Sequence, residues 1–171
     1  AVRRPPDERD RERTSLPSQA ARDVPLRYPV LLGTFTLLFV LRVVGQALVG
    51  LGEASFLPPF ERWYSGLLPY WLLLPAQIAL VVLMLKILAD FARRNGYFVR
   101  LKPRTGIILQ VLAGIYALSM VVRYVLIMAL HPELRWFTGT IPIWFHFVLA
   151  AFIFTLGRYA LRHNSPSRPV P

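Results

Sequence analysis

The chain has no cysteine. That absence removes disulfides, thiol nucleophiles, thiolate metal sites and covalent haem attachment together. It also lacks a glycine-rich phosphate loop, a nucleophile elbow and a pair of catalytic carboxylates. None of its apolar runs carries the carboxylate–histidine cluster of a zinc or di-iron centre, so no metal site is expected. Acidic residues are scarce: nine against twenty Lys and Arg, for a formal charge of +11. A balance of that sign suggests nucleic acid, but the placement of the charges argues for a membrane. No nucleic-acid partner is expected.

Apolar residues are abundant. They make up 55% of the 171 residues, and the mean hydropathy is +0.46. They gather in runs long enough to cross a bilayer, which takes about 20 mostly apolar residues. Four segments qualify: 29–52, 67–89, 106–130 and 140–161. The expected fold is an all-α integral membrane protein of four transmembrane helices within 28–163. The first run is longer than a cleaved signal's apolar core of roughly 7 to 15 residues, so it is read as a retained span.

Basic residues sort by side. Seven Arg lie in residues 1–27, and Arg93, Arg94, Arg100, Lys102 and Arg104 fill the second connection. Arg158 at the end of the last span, with Arg162 and Arg168 after it, adds to the C-terminal side, whereas the first and third connections hold only Arg62 and Arg135. By the positive-inside rule both termini and the middle connection are expected in the cytoplasm. There the basic segments would meet anionic lipid. Residues 1–27 mix Arg with five acids and few apolar groups, and 164–171 is a Pro/Ser tail; both are expected to be disordered. Short loops and the lack of an organelle-targeting pattern point to a bacterial inner (plasma) membrane.

One phrase occurs twice. RWYSGLLPYW, Arg62 to Trp71, and RWFTGTIPIW, Arg135 to Trp144, are identical at five of ten positions. All four Trp residues lie in these copies: Trp63, Trp71, Trp136 and Trp144. Trp favours the headgroup zone, so Arg62, Trp63, Trp71, Arg135, Trp136 and Trp144 read as anchors at the outer face. In each copy Ser65 or Thr138 caps the following helix, and Pro69 or Pro142 falls in its first turn, where a missing N–H costs little. The copies are 73 residues apart, each before an even-numbered span, and the same shift lays Gly33 on Gly106. That predicts two tandem helical hairpins, a parallel repeat about a pseudo-two-fold axis along the membrane normal.

Charged groups inside a membrane mark pairing or function. Arg42 lies close to the midplane of the first span, with Gln46 at i+4 on the same face and Glu53 above at the outer end. Gln77 sits mid-way along the second span, Arg123 in the outer half of the third, and His146 at a matching height in the fourth. These residues are expected to form one inward-facing polar layer. It holds two guanidinium groups and one nearby carboxylate. Either Glu53 answers Arg123 and something else answers Arg42, or the layer takes an anion. Pro75, just before Gln77, is expected to kink the second span. Haem is not expected, because His131 lies above His146 and His163 is at the other side.

Two functions follow. One is an accessory or scaffolding subunit of a larger membrane complex. The other is a membrane-embedded binding protein or enzyme for a lipid, quinone or other anionic amphiphile. The absence of cysteine makes the topology directly testable. Ser65→Cys and Thr138→Cys are expected to react with an impermeant maleimide in intact cells, and Asn95→Cys only after permeabilisation. The reverse pattern would invert the assignment.

Overall fold

The computed structural model describes residues 24–50, 70–130 and 141–163. It is all-helical there: α1 (Arg27–Gly50), α2 (Tyr70–Ala92), α3 (Pro103–Leu130) and α4 (Ile141–His163), with a short 3₁₀ turn at Phe98–Arg100. All four helices are long and apolar enough to cross a membrane. Their cores coincide with the four runs of high hydropathy. Their basic ends run on past the apolar stretch, because α2 includes Asp90 and α3 starts at Pro103. Proline suits that first helical position, where its N–H would have no partner. Hydropathy reports only where side chains turn polar, whereas the backbone keeps its hydrogen bonds into the wetter zone.

The helices pack in the order α2–α1–α4–α3. Every neighbouring pair is antiparallel. Gly33 near the start of α1 faces Leu88 near the end of α2. Tyr28 meets Tyr159, and Gly106 meets Gly157. One end of the assembly therefore gathers the start of α1, the end of α2, the start of α3 and the end of α4. That end carries exposed Arg27, Arg93, Arg94, Arg100, Lys102, Arg104, Arg158 and Arg162.

The core is densest toward this basic end. Tyr159 sits where α1, α2 and α4 converge, 4.7 Å from the Phe91 ring and 5.1 Å from Tyr28, both edge-on. Edge-to-face contacts suit the ring quadrupoles. Leu32, Met84 and Ala160 are all but fully buried around them. The connection after α2 closes this end. Arg94 N–H bonds Phe91 O at 3.1 Å, and Asn95 N–H bonds Asp90 O at 3.1 Å. This is a Schellman cap, and Arg94 holds its left-handed position at φ 52°. The Asp90 side chain, 7% exposed, accepts from Lys86 and from the Phe98 N–H at 3.4 Å. Lys86 and Asp90, at i and i+4, thus pair on α2, and the carboxylate has a second duty. Gly96, at φ 134°, lies against it, and a Cβ there would come within 2.3 Å of Asp90 Cγ.

Where α3 meets α4 the contact is made by small residues. A Cβ on Gly106 would lie 2.9 Å from Gly157 O, and one on Gly157 would lie 2.9 Å from Gly106 O. Between helices in lipid no hydrophobic force acts, and close backbone approach of this kind is what would hold them there. Only Gly106 and Ala113 of α3 are buried; most of its apolar side chains face outward. Gly157→Val should therefore separate α3 from α4 and lower the melting temperature in detergent, at a cost of roughly 1 to 3 kcal/mol. Gly114→Val, where nothing lies within 4 Å of the added Cβ, should melt like the parent. Equal melting of the two variants would refute the close contact.

Candidate functional site

Among the described residues, side chains hydrogen-bond from helix to helix in two clusters. The first joins α1 to α2. Arg42 Nη1 donates to Gln46 Oε1 at 2.9 Å, one helical turn away, and Gln77 Nε2 donates to the same oxygen at 3.1 Å across the helix pair. Arg42 and Gln77 are each 7% exposed and Gln46 is fully enclosed. The Arg42 guanidinium also lies 5.4 Å from the centre of the Phe145 ring, a cation–π contact that reaches α4.

The second cluster joins α3 to α4. Tyr116 Oη and His146 Nδ1 share a hydrogen bond of 2.5 Å, with the rings edge-on at 5.7 Å. Ser119 Oγ donates to Tyr116 O. Arg123 is half-buried two turns beyond Tyr116. The two clusters are neighbours through Phe145 and His146, which are adjacent on α4.

The first cluster leaves three buried polar atoms without a hydrogen bond: Arg42 Nε, Gln46 Nε2 and Gln77 Oε1. The amide orientations are dictated by the contacts. Turning Gln46 over would set its –NH₂ against two donors, and turning Gln77 over would oppose two oxygens. Leaving a buried donor or acceptor unanswered costs about 1 to 3 kcal/mol, more for a charged group. Asp90 is the one carboxylate among the described residues, and it sits at the basic end. The Arg42 charge therefore has no carboxylate partner among them.

Of the residues expected in one layer, Arg42, Gln46 and Gln77 are bonded together, and His146 and Arg123 belong with Tyr116. Glu53 lies outside the described residues, as do Arg62, Trp63, Arg135 and Trp136. Trp71 and Trp144 are 74% and 65% exposed at the starts of α2 and α4, at the end opposite the basic residues. Tyr116 and Phe145 were not singled out as site residues from the sequence. Only the packing of α4 between α1 and α3 makes them part of the site. Pro75 is exposed and carried within a continuous α2. His163 stacks on Tyr159 at 5.1 Å, at the far end of α4 from His146. Among the described residues no three His, Asp or Glu gather as a metal site would require.

No protein-family model matches this chain, and no characterised protein or solved structure matches it.

Proposed function

We propose that the chain is a membrane-embedded binding protein for an anionic amphiphile, with Arg42, Gln46 and Gln77 as its primary site. The observation that carries this reading is a guanidinium 7% exposed whose Nε has no acceptor. A charge at that depth is retained only where something offsets its desolvation. Gln46 supplies a dipole but no charge. A negative group is the partner that answers both the charge and the free N–H. His146 and Tyr116, with Arg123 above them, form the wall toward α3.

In this reading the basic end faces the cytoplasm of a bacterium and meets anionic lipid, and the site opens toward the outer leaflet. Its scaffold descends from a duplicated hairpin. A recurring contact supports the duplication: Gly33 faces Leu88 and Gly106 faces Leu161, two pairs offset by the same 73 residues. A two-fold axis would repeat the α1–α4 packing as α3 on α2. The order α2–α1–α4–α3 favours hairpins set side by side.

A second reading, an accessory subunit of a larger membrane complex, is favoured by α3. Most of its apolar side chains are exposed, which leaves a long face for partner helices or acyl chains. One comparison separates the two. The parent, Arg42→Leu and Arg123→Leu would be extracted in mild detergent and assayed for bound amphiphile and for co-purifying subunits. The binding reading expects Arg42→Leu to lose the amphiphile with any partners unchanged. Loss of partners from a folded protein would favour the subunit reading, and no change in either would refute both.

A further inference from the structure

The unanswered atoms specify the ligand further than its charge. Two are donors, Arg42 Nε and Gln46 Nε2, and one is an acceptor, Gln77 Oε1. An oxyanion alone satisfies the donors and leaves the acceptor facing another acceptor. A plain cation does the reverse, and a water molecule, which can answer donors and acceptor together, brings no negative charge to Arg42. We propose that the site selects an oxyanion that carries a hydroxyl beside it, such as a phosphoglycerol head group: negative oxygens on Arg42 and Gln46, the hydroxyl donating to Gln77. The proposal rests on the binding reading above and adds the chemistry of the head group.

The three free atoms belong to one hydrogen-bonded cluster. Gln46 bridges Arg42 and Gln77 through one oxygen, which brings the three side chains together. Its amide nitrogen is aimed away from both donors, because its oxygen is aimed toward them. The three residues lie about 6 to 12 Å inside the ends of α1 and α2 that carry no basic rim, counting 1.5 Å per residue. A head group from that leaflet reaches them by dipping between helices, and its acyl chains stay in hydrocarbon. A free phosphate has the same chemistry, because its monohydrogen form offers oxygens and one O–H.

The test compares two lipids of equal charge. Phosphatidylglycerol carries hydroxyls and phosphatidylmethanol carries none, so the basic rim at the opposite end treats them alike. Purified protein would be given equal amounts of both with matched acyl chains, and retained lipid would be counted by native mass spectrometry. The parent should retain phosphatidylglycerol about fivefold over phosphatidylmethanol, the ratio that one net hydrogen bond provides. Gln77→Leu should bind both equally, and Arg42→Leu should lose both. Circular dichroism would verify folding of each variant. Should Arg42→Leu fail to fold, Gln46→Leu, which removes a free donor, makes the same comparison. Equal retention by the parent, with both lipids lost in Arg42→Leu, would overturn the hydroxyl requirement and leave the binding reading standing. Retention indifferent to Arg42 and Gln46 would overturn both. A further arm adds millimolar inorganic phosphate without lipid. Stabilisation of the parent but not of Gln77→Leu, with neither lipid retained, would assign the same chemistry to a free anion.

Discussion

A guanidinium among hydrocarbon side chains is the constraint around which this protein is organised. Arg42 stays protonated under any physiological condition, so it cannot escape burial by losing its proton. Its surroundings must therefore supply polarity. Gln46 does so from one turn away, Gln77 orients Gln46 from the neighbouring helix, and Phe145 offers its ring face. An interhelical hydrogen bond in a membrane is worth about 0.6 kcal/mol on average. That is too little to offset a buried charge, so the network is better understood as positioning than as compensation. It holds the guanidinium in one orientation, with Nε turned from its protein partners.

The rest of the molecule separates two tasks by end. The basic end is where the helices are tied together. There Tyr159 gathers three helices, and Asp90 closes the connection between α2 and α3. The opposite end carries the polar clusters and the exposed Trp71 and Trp144. The α3–α4 contact follows another rule: glycine against glycine, with backbones close and few side chains buried. Helix α3 thus attaches through small residues while most of its apolar side chains stay exposed.

Much of this was legible in the sequence, and the limits have physical causes. The four helices follow from hydropathy because a bilayer imposes length and composition together. Counting depth along each run named Arg42, Gln46, Gln77, Arg123 and His146, of which the first three share one hydrogen-bonded cluster and His146 bonds Tyr116. The Arg42–Gln46 bond follows from i+4 spacing alone. The bond from Gln77 and the pairing of Tyr116 with His146 do not, because they depend on which helix faces meet. The cap at the end of α2 was hidden for another reason. Glycine is the usual signal for a left-handed residue, and Gly96 stands two positions after Arg94, which takes that conformation at the cap. The i+4 spacing suffices to pair Asp90 with Lys86, but its bond to Phe98 N–H requires the loop to fold back.

The most direct measurement is a map of the protein purified with its native lipid, read at Arg42 Nε and Gln46 Nε2. The account predicts non-protein density bridging the two nitrogens, with Arg42 still bonded to Gln46. It would be contradicted by the Glu53 carboxylate occupying that position, or by the Arg42 side chain turned outward among acyl chains.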